Sequence, residues 1–267
     1  MASSRDSQGT EHAEALVHGI SASATSERPE GLVRAQEDYQ PVGLAPMVLR
    51  GSLGVARIKG FTDGGPSASG QRARRILGTG ILLPGSWLLT CHHVLPDKNR
   101  CANALAQFQY QESMDDAGTT ADPTSYSLDQ ETFKTSEEGD WTLVRIKPAP
   151  SLHGQVSLRL ADNTVPLKVD DKVGIIHHPN GDPQKFNSGT VTAVTPDYIY
   201  HTITTNEGSS GAPLLAKRDG RWLVVAMHRT YDEAARLNKG SRASLIRSAL
   251  QKAGYDEERE AQAEPSS

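Results

Sequence analysis

Apolar and polar residues alternate in short segments along most of the chain after about residue 44. Residues that favour turns, mainly Gly, Pro, Asn, Asp and Ser, separate these segments, a pattern typical of β-strands joined by tight connections. Helical spacing is rare between them, so the pattern indicates an all-β sandwich or barrel. The predicted strands are 53–58, 76–83, 86–90, 104–110, 125–133, 141–147, 172–176, 186–195, 198–203, 213–216 and 222–228.

A single clear helical pattern follows the last predicted strand, at 244–253, and Gly254 is expected to end it. The polar segment 1–39 predicts a flexible tail with room for a short helix at 11–17. The last residues, 255–267, predict a second flexible tail, and 61–75 predicts an exposed loop. One folded domain over 40–254 is therefore expected.

Composition narrows the possible partners. The net charge is −4 and the pI is near 6.1, without a basic run that would bind nucleic acid, so we expect no nucleic-acid partner. No apolar run is long enough to cross a membrane, and the first residues are polar, so we expect a cytoplasmic protein without a membrane partner. In that compartment Cys91 and Cys101 are predicted to be free thiols.

A glycine-flanked serine lies in the turn Gly208-Ser209-Ser210-Gly211-Ala212-Pro213. Glycine can adopt positive φ angles, so the backbone N–H groups of such a turn can converge on one point. Converging N–H groups beside a hydroxyl suit an oxyanion and its nucleophile. The pattern also fits an ordinary turn between two strands, and a base and an acid elsewhere in the chain are needed to distinguish the two.

Two upstream residues supply that base and acid. His93 follows the apolar strand that ends at Thr90, and Asp140 immediately precedes the apolar strand that begins at Trp141. Each alone fits a structural role, but together with Ser210 they give the order His, Asp, Ser, which is one of the known linear orders of a catalytic triad.

With these motifs the chain resembles the trypsin-like, chymotrypsin-fold serine peptidases. It is most similar to the bacterial branch that includes glutamyl endopeptidases and HtrA-type proteases. The resemblance covers about 40–252 and rests on four motifs in the family's order, which are Gly78-Thr79-Gly80-Ile81-Leu82, Thr90-Cys91-His92-His93-Val94, Gly139-Asp140-Trp141-Thr142-Leu143 and the serine turn.

The resemblance implies two packed, antiparallel, six-stranded barrels, at about 50–150 and 165–240, with an active site between them. It further implies a serine endopeptidase without a cofactor, in which Ser210 attacks the substrate, His93 is the base and Asp140 orients it. The N–H groups of Gly208 and Ser210 are then the expected oxyanion hole. The sequence departs from the family pattern at Ser209, commonly Asp or Asn, and at Ala212, commonly Gly.

The family also suggests a substrate preference. In glutamyl endopeptidases, a threonine and a histidine at the places of Thr205 and His228 hold the acidic side chain of the substrate. Cleavage after Glu or Asp is therefore a hypothesis, although Arg229 and Tyr231 replace residues that are usually small. The expected partner is a protein or peptide substrate, with a regulatory protein as a further possibility; the alternative function is a silent or partner-activated peptide-binding module.

Other residues offer competing sites. His92 is the rival base, but the family pattern favours the histidine directly before Val94. Cys91 and Cys101 near two histidines suggest zinc, but no second ligand pair completes a site, and no base is placed for a cysteine nucleophile. The segment 177–181, His-His-Pro-Asn-Gly, resembles a structural turn of the family more than a metal site.

Overall fold

A computed structural model describes residues 45–62, 75–113, 119–147, 156–218 and 220–263 of the 267-residue chain. The predicted tail at 1–39, its short helix and most of the predicted loop at 61–75 lie outside the described residues.

Twelve strands in the described residues form two closed antiparallel barrels. The first has the order β1-β2-β3-β6-β5-β4 and contains β1 Val55–Phe61, β2 Arg75–Leu83, β3 Trp87–Thr90, β4 Ala104–Phe108, β5 Thr124–Ser136 and β6 Trp141–Lys147. The second has the order β10-β11-β12-β9-β8-β7 and contains β7 Lys172–His177, β8 Lys185–Val194, β9 Tyr198–His201, β10 Pro213–Arg218, β11 Arg221–Asp232 and β12 Leu237–Arg242. The all-β prediction and the two six-stranded barrels implied by the resemblance are confirmed.

The buried apolar side chains of the two barrels form one continuous cluster. Burying a large aliphatic or aromatic side chain contributes about 1.5–3 kcal/mol. Residues such as Phe108 and Ile146 in the first barrel and Ile175 in the second are therefore the main source of stability. This packing gives the polar residues at the barrel junction a rigid support.

Strand β12 was missed by the sequence analysis. Its sequence, Leu-Asn-Lys-Gly-Ser-Arg, lacks apolar alternation because its buried positions are Asn238, Gly240 and Ser241. The strand forms because β11 and β9 pair with it on both sides. Pairing between strands therefore overrides a weak local pattern here.

Four α-helices accompany the barrels in the described part of the chain. They are α1 Ala45–Ser52, α2 Lys98–Ala102, α3 Ala243–Lys252 and α4 Glu257–Ala263, and a 3₁₀ turn spans Pro179–Gly181. Helix α3 matches the predicted helix to within one residue. Gly254 follows it with a φ of +86°, a conformation that glycine adopts at little cost.

Helix α4 lies where the sequence analysis predicted a solvated tail. It has no apolar stripe and is held by polar contacts. The Leu160 N–H donates to Glu257 Oε1 at 3.0 Å, and Arg145 Nη2 lies 2.9 Å from Glu260 Oε1. Because these partners are distant in the sequence, the propensity of the segment alone could not predict the docking.

Within the described ranges, no helix has the length and apolar character needed to cross a membrane.

Candidate active site

His93 and Asp140 lie together at the open ends of strands of the first barrel. His93 follows β3, and Asp140 occupies the turn between β5 and β6 with a φ of +47°. The Nδ1 of His93 lies 3.0 Å from both carboxylate oxygens of Asp140, and the His93 backbone N–H donates to Oδ1 at 3.1 Å. These bonds fix the imidazole and direct its Nε2 away from the aspartate.

Asp140 is almost fully buried, whereas about half of the His93 side chain is exposed. Burial opposes ionisation of Asp140. The hydrogen bonds and charge of His93, together with the charge of Arg229, outweigh burial and hold the pKa of Asp140 below its usual range. The aspartate is therefore a carboxylate at neutral pH, as an orienting acceptor must be.

Arg229 is a further partner of Asp140 that the sequence analysis did not assign to the site. Its Nε lies 3.0 Å from Asp140 Oδ2. The sequence analysis noted that Arg229 replaces a small residue, and this was the only signal that could have identified it.

Ser210 lies in the serine turn of the second barrel, directly before β10. Its hydroxyl donates to the backbone carbonyl of Arg229 at 3.2 Å. Among the contacts of the described residues there is no hydrogen bond between Ser210 and His93. The Ser210 hydroxyl is therefore bonded to the backbone of the second barrel.

The peptide group that precedes Gly208 is oriented by a contact with Asn180. The carbonyl of Glu207 accepts from the Asn180 N–H at 2.5 Å, and because C=O and N–H point in opposite directions across a trans peptide, the Gly208 N–H points away from Asn180. Gly208 has a φ of +88°, and an added Cβ would lie 2.6 Å from the carbonyl oxygen of His178. Glycine is thus needed both for the backbone angle and for the space.

Thr79 of β2 joins the first barrel to this turn. Its hydroxyl donates to the Gly208 carbonyl at 2.8 Å and accepts from the His178 N–H at 3.2 Å. Its own N–H donates to the Ser210 carbonyl at 2.8 Å. Thr79 therefore bonds to the backbone carbonyls of both Gly208 and Ser210.

The segment 177–181 supports the serine turn and does not form a separate site. His177 Nδ1 pairs with the Ser209 hydroxyl at 2.8 Å, and Asn180 bonds to Glu207 as described above. Burial lowers the pKa of His177 to about 4 and that of His178 to about 3, so both rings are neutral at physiological pH. This agrees with the structural interpretation of the segment.

Thr205 and His228 line a small cavity of about 120 Å³ beside Ser210. The Thr205 hydroxyl donates to Asn238 Oδ1 at 2.9 Å, and Asn238 Nδ2 donates to the Ile203 carbonyl at 2.6 Å. Because the amide orientation of Asn238 is fixed in this way, the hydroxyl hydrogen of Thr205 is engaged in the bond to Asn238 Oδ1. Thr205 therefore offers lone pairs to the cavity.

His228 is buried against a second histidine. Its Nδ1 lies 3.4 Å from His201 Nε2, and the two rings meet edge to face. Burial lowers the pKa of His228 well below its usual value, and it lowers the pKa of His201 to about 3. The pair is neutral, and the buried Nδ1 of His201 has no hydrogen-bond partner among the described residues.

The competing residues take other roles. The His92 ring pairs with the Thr135 hydroxyl at 2.8 Å and makes no contact with Asp140. Cys91 and Cys101 are free and buried. Burial raises the pKa of the Cys91 thiol well above its usual value, so this thiol stays protonated and is a poor nucleophile.

Cys91, His93 and Asp140 offer ligand atoms within 4.8 Å of one another. A metal ion would need a thiolate from Cys91 and a free ring nitrogen from His93. The thiol keeps its proton, and Nδ1, the His93 ring nitrogen beside the carboxylate, is already held by Asp140. The donor chemistry of this cluster therefore fits a proton-transfer site better than a metal site.

Two closed barrels with a histidine–aspartate pair on one and a serine turn on the other define the trypsin-like class of fold. The family model of the trypsin-like peptidase domain matches residues 78–227. The chain therefore belongs to this peptidase family. No curated protein matches the chain in a sequence search.

Proposed function

We propose that this protein is a serine endopeptidase that hydrolyses a protein substrate through an acyl-enzyme intermediate. The observation that carries the proposal is the doubly hydrogen-bonded pair of His93 and Asp140 at the same barrel junction as the serine turn. The family assignment supports peptide hydrolysis, and the residue roles follow from the chemistry of acyl transfer.

The first step forms the acyl-enzyme. The Ser210 oxygen bonds to the peptide carbonyl carbon while its proton passes to His93 Nε2. The N–H groups of Gly208 and Ser210 donate to the resulting oxyanion, a contribution of about 3 kcal/mol for each donor. The C–N bond then breaks, and His93 returns the proton to the departing amine.

The second step removes the acyl group. Water gives a proton to His93 and bonds to the acyl carbon, and the bond between that carbon and Ser210 breaks as the serine regains a proton. Asp140 keeps the imidazole in the tautomer that both steps need and stabilises its charged form. No step requires a cofactor.

Replacement of the nucleophile tests the proposal. Ser210→Ala should lower peptide hydrolysis by about 10⁴-fold or more and abolish labelling by a fluorophosphonate probe. Ser248→Ala is the matched control, because Ser248 lies on α3 and its hydroxyl bonds to the Ser244 carbonyl. Labelling that survives in Ser210→Ala would refute the proposal.

The bond between Ser210 and the Arg229 carbonyl favours one alternative, a silent or partner-activated peptide-binding module. In that case the serine would stay on Arg229 until a regulatory protein or a substrate releases it. Labelling of the purified protein alone distinguishes the two functions. Rapid labelling without a partner supports the peptidase, and labelling only after partner addition supports the module.

We also propose that Thr205 and His228 bind the side chain that precedes the cleaved bond. When His201 Nε2–H donates to His228 Nδ1, His228 carries its proton on Nε2 and can donate it to a substrate oxygen. Thr205 contributes an acceptor. The small polar cavity therefore offers one donor and one acceptor to a substrate side chain. We propose Glu or Asp as this side chain, as the sequence suggests, with a carboxyl oxygen accepting from His228 Nε2.

Matched peptides that differ only in Glu, Gln, Asp or Asn before the cleaved bond test this preference. We expect these four to exceed Arg, Lys and Leu, and His228→Ala to lower kcat/KM for Glu more than for Ala. A profile dominated by Arg, Lys or aliphatic residues would show that the cavity does not select for a side-chain oxygen.

We further propose that the protein works in the cytoplasm. The two buried free thiols, Cys91 and Cys101, are compatible with that reducing compartment. Fractionation of cells that express the tagged chain, with blotting of each fraction, tests this location.

A further inference from the structure

Arg229 occupies an irregular position in β11. Along the pairing of β11 with β12, His228 faces Gly240 and Thr230 faces Lys239, so Arg229 is an extra residue opposite no partner. A bulge of this kind turns a side chain away from the direction that strict alternation would give it. Here the guanidinium is directed to the catalytic carboxylate.

The contacts of Arg229 hold its side chain in one place. Besides the ion pair with Asp140, its Nη1 donates to the Tyr198 hydroxyl at 3.1 Å, and its guanidinium carbon lies 5.7 Å from the centre of the Tyr198 ring. One quarter of the side chain is exposed. The exposed part borders a groove of about 380 Å³ between the barrels and α3.

The bulge also connects Arg229 to the nucleophile, since its carbonyl accepts the Ser210 hydroxyl. One residue therefore contacts Asp140 through its side chain and Ser210 through its backbone. A substitution of the side chain leaves the backbone carbonyl in place, so the two contacts can be separated by mutation.

Arg229 and His93 share the carboxylate of Asp140. Asp140 is shared between the two groups, since Oδ2 lies 3.0 Å from His93 Nδ1 and 3.0 Å from Arg229 Nε. A guanidinium so placed repels a proton on the imidazole and also weakens the attraction that Asp140 exerts on that proton. Both effects act in the same direction, against a positive charge on the imidazole.

The other titratable groups around the pair are few. Cys91 is a protonated thiol, and His228 is neutral. Two acidic residues, Glu138 and Asp197, border the groove with Arg229 but form no ion pair with it among the described residues. The charge nearest to the His93–Asp140 pair is therefore that of Arg229.

We propose that Arg229 is a positioning residue that extends the peptidase to acidic pH by keeping His93 in its basic form. The same charge disfavours the imidazolium that develops during the reaction, so it lowers the maximal rate in exchange for a wider pH range. This inference rests on the proposed peptidase function and adds a regulator of the same triad.

The test compares kcat/KM against pH for the wild-type protein, Arg229→Gln and Arg229→Lys. In Arg229→Gln the acidic limb should move to higher pH by about one unit, with a plateau at high pH that is equal to the wild type or higher. Activity on the acidic limb should fall about tenfold. Arg229→Lys keeps the charge but loses the planar guanidinium, so its acidic limb should lie between those of the wild type and Arg229→Gln.

Arg218→Gln is the matched control. Arg218 has similar exposure and pairs with Asp171 at 2.5 Å, away from the triad. The control should leave the acidic limb in place. If Arg229→Gln lowers the plateau and leaves the limb unchanged, Arg229 has only a structural role and the proposal is overturned.

NMR titration of the His93 ring in the substrate-free protein, assigned with His93→Ala, separates this inference from the proposed function. An upward shift of the His93 midpoint in Arg229→Gln supports the electrostatic role even if no peptide is hydrolysed. An unchanged midpoint overturns that role even if the protein is an active peptidase.

Discussion

The hydroxyl of Thr79 offers a direct test of how the serine turn is held. Thr79→Val keeps the shape of a fully buried side chain but removes the oxygen that contacts Gly208 and His178. The Gly208 carbonyl and the His178 N–H then lose their partner in a dry site. An unsatisfied buried group costs about 1–3 kcal/mol, so the two together should cost about 2–6 kcal/mol of unfolding free energy.

This loss should lower the melting temperature by about 4–24 °C for a domain of this size. The catalytic effect should be separate, because the Gly208 N–H is no longer held in position from the carbonyl side. Complete loss of one oxyanion donor costs about 10²–10³ in kcat. The backbone bond from Thr79 to Ser210 remains, so we expect a smaller loss of about 10- to 100-fold.

The unfolding free energy is measured by urea denaturation in a Ser210→Ala background, which avoids self-cleavage. The kcat is measured with Ser210 intact and is expressed per active site labelled by the fluorophosphonate probe. Thr142→Val is the matched control. Thr142 is equally buried and its hydroxyl donates to the Leu95 carbonyl at 2.7 Å, but it makes no contact with the serine turn among the described residues. The Thr142→Val variant should lose stability and retain kcat. Equal kcat in both variants would refute the role of Thr79 in orienting Gly208.

Two further predictions concern stability. Gly211→Ala should prevent folding, because Gly211 has a φ of +89° and an added Cβ would lie 2.1 Å from the Thr79 carbonyl oxygen. The control is Gly220→Ala, where φ is +77° and no atom lies within 4 Å of the added Cβ. This control should cost only about 1–2 kcal/mol of unfolding free energy, measured by urea unfolding. Equal losses would exclude the clash as the cause. Burial raises the pKa of Glu257 above its ordinary 4.5, so the stability this carboxyl contributes is present at low pH and declines as pH rises through the folded pKa. The stability of Glu257→Gln relative to wild type should therefore increase between pH 4.5 and 7.5, and a constant difference would contradict the shift.

Much of the site could be predicted because its residues lie beside strong local signals. His93 follows an apolar strand, Asp140 precedes one, and glycines on both sides mark Ser210. Strand alternation gave the all-β class, and the motifs gave the two barrels. These features depend on residues that are close in sequence, so a pattern can reveal them.

The missed features depend on distant partners. Strand β12 is strand-like only because β9 and β11 border it, and α4 docks through Glu257 and Glu260 to Leu160 and Arg145. Arg229 reaches Asp140 because a single extra residue in β11 changes the direction of its side chain. Strict alternation would have placed Arg229 on the face opposite to His228 without indicating what lies there.

Under the proposed function, the contacts of Thr79 make activity depend on both halves of the chain. Strand β2 is made well before the serine turn, yet the carbonyls of Gly208 and Ser210 bond to it across the barrel junction. In the proposed mechanism, the second barrel alone would carry the nucleophile without the Thr79 contacts to its turn, and the first barrel alone would carry the base without the nucleophile. Under that mechanism, catalytic competence begins only when both halves have folded and docked.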